Sequence, residues 1–340
     1  MPLVSLVKTD ENGISEALNK AIDLVDGLEN VKGKKRISIK PNLCTPKSSS
    51  SGATTDPRII EALIEKISSS ISCKISIVET DNSKTTADNT FKFLGYEDLP
   101  KKHKNVQLTN LSRNHKVRVH LNGDIFSSIL VPESMIFSDC LISVAKLKTH
   151  VDYLYTGVLK NQFGFLIGPR SQYHGFMSKV IVDLNSFYKP DLAIIDGITG
   201  MEGFGPTDGT PKPLGVIIAS KDPVAADATA ARVMGINPSK IGYLKHAEKK
   251  GIGTSKNIEL VGSNIEEVTS PFAFIKGRHY FLSKISLALQ RYSRYTRNLA
   301  ELTSLTRSAL STAGFSTIEQ RMSYSGLLRL ATNTLFKLEQ

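Results

Sequence analysis

The sequence predicts an α/β fold: mostly parallel or mixed sheet flanked by helices, with a small antiparallel insertion and a C-terminal helical hairpin. Three observations carry this. Short β-branched runs alternate with amphipathic segments through the first 270 residues, the pattern of strand–helix–strand units. Several of these runs are apolar throughout, as strands buried on both faces must be. Beyond Pro271 the apolar spacing changes to alternating steps of three and four, which is helical.

In chain order, the β-branched runs predict strands at Arg36–Lys40, Lys74–Thr80, Cys140–Lys146, Leu192–Asp196, Leu214–Ser220 and Ile258–Val261. Amphipathic spacing predicts helices at Ser15–Leu28, Pro57–Ser70, Thr86–Leu94, Val180–Phe187, Pro223–Met234 and Pro238–Lys249. Asp56-Pro57 and Asp222-Pro223 each combine an N-cap carboxylate with proline at the first helical position. Between residues 104 and 132 the runs VQLTNL, KVRVHL and FSSILV follow one another closely, and we read them as the antiparallel insertion. The tail stripe runs Ala288, Tyr292, Tyr295, Leu299, Leu302, Thr306, Ala309. Gly314 interrupts it before a second helical stretch at about 316–338. The chain therefore divides into an α/β body over 1–270, open to subdivision, and a basic amphipathic tail over 271–340.

Charge supports the same boundary. The 340 residues carry 43 Lys+Arg against 32 Asp+Glu, a net charge of +11. Residues 271–340 hold ten of the basic side chains and only three acidic ones (Glu301, Glu319, Glu339), so most of the excess sits in the tail. With 40% hydrophobic and 22% charged residues the chain is ordinary globular material and not a disordered one. No run approaches the roughly 18 consecutive apolar residues of a membrane span. The N-terminal MPLVSLVKTDENG lacks the basic start of a secretory signal. Three scattered cysteines, Cys44, Cys73 and Cys140, make neither a disulfide framework nor a Cys-x-x-Cys metal site. Together these features predict a cytoplasmic protein.

Ligands of open α/β sheets gather at the C-terminal ends of the strands, and here those ends carry unusual polar residues. RISIK runs into Pro41-Asn42, placing Lys40 and Asn42 at a strand end closed by proline. KISIVE runs into Thr80-Asp81, so Glu79 and Asp81 share a side by the period of two. CLISVAKLKTH sets Lys146, Lys148 and His150 on one face, a set suited to phosphate or carboxylate. LAIID leads into the Gly-rich stretch MEGFGPTDG, where Gly203 and Gly205 permit close backbone approach and Glu202 offers a carboxylate. That stretch has neither the P-loop nor the dinucleotide pattern. Asp227, among alanines in DPVAADATAARVMG, needs a partner if charged, and Lys148 or Lys160 is the expected one. The ordinary alternatives remain open at each position: a solvated lysine cap, a helix-capping carboxylate, a flexible turn.

Taken together, IKPNLC (39–44), Thr55-Asp56-Pro57, IVETD (77–81), AKLKTH (145–150), YTGVLKNQFG (155–164), Arg170 with His174, DGITGMEGFGP (196–206) and DPVAADATAARVMG (222–235) resemble the uncharacterised family called domain of unknown function 362, over roughly residues 1–262. Many members of that family carry a ferredoxin-like iron–sulfur segment. This chain has no Cys-x-x-Cys-x-x-Cys run, so no intrinsic cluster is expected, and the basic tail stands in its place. The matched positions imply a site of polar catalysis or anion binding. Lys40, Asn42, Lys146, Lys160, Asn161 and Arg170 would bind the ligand with Gly203 and Gly205. Lys148, His150, Glu202 and His174 would be catalytic. Glu79, Asp81, Asp196 and Asp227 would be available to a divalent metal such as Mg²⁺.

The functional expectation is an enzyme acting on a small anionic metabolite, phosphorylated or carboxylated, with the reaction unassigned. Two alternatives stand beside it: a non-catalytic ligand- or cofactor-binding module, redox-associated by the resemblance, and a nucleic-acid-binding protein working through the basic tail. The tail stripe is also expected to bury against the body, a second copy of the chain or an anionic membrane surface, the first two favoured because the stripe lacks large residues at every step, with its arginines facing solvent or an acidic protein partner.

Overall fold

The computed structural model describes residues 1–10, 12–168 and 170–275. The predicted helical hairpin at 285–338 lies outside the described residues. One compact unit comprises Met1–Ile167 with Ser178–Phe274, and Gly168–Met177 belongs to a second unit with the C-terminal residues.

The first unit is built on a mixed nine-stranded sheet. Its strands are β1 (Leu3–Lys8), β2 (Arg36–Pro41), β3 (Lys74–Glu79), β4 (Val106–Asn110), β7 (Cys140–His150), β8 (Leu154–Thr156), β9 (Leu192–Glu202), β10 (Thr210–Ser220) and β11 (Glu259–Gly262). A separate antiparallel pair comprises β5 (Lys116–His120) and β6 (Ser128–Pro132). The sheet order is β11-β1-β10-β9-β7-β2-β3-β4, with β8 folded back on β7. From β4 to β9 all neighbours are parallel, whereas β10 runs against both β9 and β1.

The helices start where their caps dictate. Asp56 accepts from the Arg58 amide and Pro57 occupies the first turn, fixing Pro57–Ser70. Asp222 accepts from the Val224 and Ala225 amides ahead of Pro223–Val233. The apolar faces of Ile14–Asp23 and Pro57–Ser70 enter the core with Ile37, Ile39, Ile75, Ile77 and Ile142 from the strands. Pro223–Val233 is buried nearly all round, which its run of alanines permits by letting backbone approach backbone.

Several expectations change. VQLTNL does not belong to the antiparallel insertion: it forms β4, parallel to β3, because the helical connection Ala87–Phe93 and Leu99–Lys102 returns the chain in that direction. Only KVRVHL and SILVP pair antiparallel. The Gly-rich stretch is a hairpin and not an open loop, since β9 runs to Glu202 and β10 begins at Thr210. The helix expected over Ser15–Leu28 ends at Asp23, where positive φ at Asp26 turns the chain. The one at Pro238–Lys249 is divided at Ile241, whose backbone is extended. Strand β1 was not anticipated. It packs between β10 and β11 in the middle of that half of the sheet.

Gly52 fixes the loop that follows β2. Its φ is +74°, and a Cβ there would collide with the Gly200 carbonyl of β9. Gly52→Ala should cost more than about 1 kcal/mol in urea denaturation, from left-handed strain alone. A variant as stable as the parent would show that the loop can be held otherwise.

Candidate functional site

The parallel strands β2, β3, β7 and β9 end on the same edge of the sheet, and β2 lies between strands that leave it in opposite directions: β3 and β4 to one side, β7 and β9 to the other. Ligand crevices of open α/β sheets form at such switch points. Lys40 is the last residue but one of β2, Lys146 and Lys148 lie near the end of β7, Glu79 ends β3, and Asp196 lies in β9.

All three lysines are 1% exposed. Burial of an ammonium is tolerated when it is paired and hydrogen-bonded. Lys40 Nζ reaches both Glu79 carboxylate oxygens, at 2.8 and 2.9 Å. Glu79 also accepts from the Leu43 and Thr80 amides. Lys146 Nζ donates to Asp196 Oδ2 at 2.8 Å, and the Asp56 and Ile198 amides complete that carboxylate's shell.

Lys148 differs. Its Nζ donates to Asn42 Oδ1 at 2.8 Å and to the Ala53 carbonyl at 2.6 Å, and lies 3.3 Å from Cys44 Sγ. None of these partners is a carboxylate. Burial, more than any other influence, holds its pKa below the usual lysine value. Lys160 is half-buried, with its Nζ 5.8 Å from the centre of the Phe163 ring, and finds no hydrogen-bond or ion-pair acceptor among the described residues. Burial and then the neighbouring Lys148 charge lower its pKa to about 8, against the opposing pull of Cys44 and Asp152.

Amides bind these groups into one network. Asn42 Nδ2 donates to Asn161 Oδ1, and Asn161 Nδ2 donates to the Lys40 carbonyl and Ser143 Oγ. Thr55 accepts from the Asn42 amide and donates to the Val144 carbonyl, tying β2 to β7. The structure therefore brings Lys40, Asn42, Lys146, Lys148, Asn161, Glu79 and Asp196 together. Thr55 and Ser143 were missed as members. The signal for Ser143 was a lone hydroxyl inside the apolar run CLISVA, where a strand buried on both faces has no use for one unless it is bonded.

The Asp227 carboxylate takes neither lysine. It accepts from the Val158 and Leu159 amides at 2.7 and 3.0 Å and from the Tyr155 hydroxyl at 3.0 Å, capping the short helix Val158–Asn161. Burial raises its pKa to about 7, and a half-neutral carboxyl with three donors needs no cation. Glu202 pairs with Lys212 at 3.1 Å and accepts from the Ala273 amide, because the hairpin turns it toward β10. Gly203 donates its amide to Ala273 and accepts from Thr149 Oγ1, while the Gly205 carbonyl accepts from the Val151 amide. Gly203 thus commits its amide, and the carbonyls of both glycines hold the hairpin against the end of β7. His150, half-buried at the end of β7, accepts from the Asp152 amide through Nδ1 and lies 5.1 Å from the Tyr153 ring. Arg170 and His174 lie in the 3-10 segment Arg170–Phe176 of the second unit.

The four carboxylates nominated for a metal do not gather into a ligand set. Glu79 and Asp196 are each drawn to their own ammonium, Asp227 caps a helix, and Asp81 accepts from Asn110 and the Ala87 amide. Among the described residues the grouping with ion-binding spacing is instead Glu61, Glu65 and His103, whose ligand atoms lie within 4.8 Å of one another. Lys102 already engages Glu61 there.

No helix among the described residues is long and apolar enough to cross a membrane. A family model described as Domain of unknown function (DUF362) matches residues 37–232. The thylakoid-associated protein sll1697 of Synechocystis sp. (strain ATCC 27184 / PCC 6803 / Kazusa) is 24% identical over 266 residues, covering 73% of this chain and 79% of that protein. The lactate racemase apoprotein from Thermoanaerobacterium thermosaccharolyticum superposes with a TM-score of 0.47 at 11% identity, over 69% of this chain. The chain spans 57% of that protein's length. The family match takes in more than half of the sequence, including every residue of the lysine network: the chain belongs to the Domain of unknown function (DUF362) family.

Proposed function

We propose that the chain is an enzyme acting on a small anionic metabolite, phosphorylated or carboxylated, bound where β2 and β7 part. One observation carries this reading: of the four lysines at that edge, Lys40 and Lys146 have carboxylate partners, whereas Lys148 and Lys160 have none. An ammonium held out of water without a counter-charge is costly, and an anion supplies the missing charge. Lys148 is held at three points and so presents its charge in a fixed position. His150, at the end of the same strand, is the acid–base group of this reading. A divalent ion such as Mg²⁺ is kept as an accessory, to be sought by elemental analysis of the purified protein. The cytoplasm is kept as its compartment, on composition.

Titration of inorganic phosphate into the full chain by calorimetry tests the reading. Lys148→Met roughly keeps the volume of the side chain's stem and should weaken phosphate binding by about tenfold or more, through loss of a buried positive charge beside the site. Equal affinity in parent and variant would refute it. The non-catalytic alternative uses the same lysines and parts from this one at turnover, since a carrier releases its ligand unchanged. The nucleic-acid alternative rests on the tail, most of which lies outside the described residues.

A further inference from the structure

Lys160 is the ammonium that the network leaves over. Its backbone is fixed on both sides: Asp227 caps the amides of Val158 and Leu159 before it, and Asn161 after it is locked to β2 and β7. The amine itself has no acceptor among the described residues and one aromatic ring beside it, that of Phe163. A lysine kept only for charge gains most from a carboxylate. One kept for its lone pair must instead be able to shed its proton, and a half-buried place without a carboxylate, beside a second cation, is the arrangement that allows this. The charged and titratable groups around it are Lys148, which favours proton loss, and Cys44 and Asp152, which oppose it.

We propose that Lys160 is a nucleophilic amine that forms an imine with the carbonyl carbon of a small anionic aldehyde or ketone, whose carboxylate or phosphate is drawn by the buried positive charge of Lys148. This rests on the anion-binding reading above and narrows its substrate class. In the step, the Lys160 Nζ lone pair attacks the carbonyl carbon and the carbonyl oxygen takes up a proton. The hydroxyl of the resulting carbinolamine takes up a second proton from solvent and leaves as water when the nitrogen lone pair forms the C=N bond, giving the protonated imine. Hydrolysis reverses the sequence, so no oxidant or reductant is consumed. The protonated imine draws electrons from the adjacent carbon, which activates a neighbouring C–H or C–C bond. A pKa of about 8 leaves about a tenth of the amine neutral at pH 7, far more than an ordinary lysine provides.

Glyoxylate with sodium cyanoborohydride tests this on the full chain, followed by peptide mass mapping. The expected result is a carboxymethyl adduct that forms at Lys160 about tenfold faster than at the exposed Lys249, with its rate half-maximal near pH 8 and slowed by excess inorganic phosphate. Lys160→Arg should take no adduct at that position, with the slower labelling of the exposed Lys249 unchanged. In Lys148→Met, loss of the neighbouring charge should move the half-maximal pH upward. Phosphate binding together with uniform lysine labelling would overturn the imine while leaving the anion site standing. Selective labelling of Lys160 that phosphate does not slow would support the reactive amine and overturn its shared site with the anion.

Discussion

Asp196→Ala should destabilise the protein by about 3–5 kcal/mol, the cost of leaving a buried ammonium without its partner. Lys146 and Asp196 are both at or below 1% exposure, and the substitution also strands the Asp56 and Ile198 amides. Because Asp56 caps Pro57–Ser70, the loss extends into that helix. The double variant Lys146→Met/Asp196→Leu removes both charges and should recover a good part of the loss, as apolar replacements of buried pairs do. Urea denaturation of the two variants decides the matter. A single variant within about 1 kcal/mol of the parent would mean that water or another carboxylate reaches Lys146.

The second large effect is one of pH. Burial raises the Asp227 carboxyl from its usual value to about 7 in the folded chain. Between about pH 4 and pH 7 the folded state therefore holds a proton that the unfolded state has released. Stability from this group is thus greatest below the ordinary carboxylate pKa and declines as pH rises through that window, by about 4 kcal/mol in all. Asp227→Asn cannot ionise and should lose this slope, although its amide NH₂ now faces donors. Thermal melts of parent and variant from pH 4 to 8 measure it, and parallel curves would rule it out. The cap matters to the site because it fixes the short helix that carries Lys160 and Asn161.

Much of the site was legible because strand ends are local. Lys40 and Asn42 follow RISI, Glu79 ends KISIV, and Lys146 and Lys148 alternate along one strand, so the period of two and a closing proline place them without knowledge of the fold. The helix starts at Asp56-Pro57 and Asp222-Pro223 were equally plain, since a cap and its first-turn proline are neighbours in sequence. Glu202 misled because a glycine-rich stretch reads as an open loop, whereas pairing with β10 turns it into a hairpin.

What the sequence by itself determined is therefore the set of polar groups at the strand ends and the helices between them, each fixed by contacts within a few residues. Which groups meet was decided by tertiary structure alone. Lys40 finds Glu79 across 39 residues and Lys146 finds Asp196 across 50, because β2 happens to lie against β3 and β7 against β9. The same ordering turns Asp227 toward backbone amides and not toward a lysine. Periodicity and propensity act over one or two turns, while charge pairing follows strand order, so only the assembled sheet could leave Lys148 and Lys160 without a carboxylate.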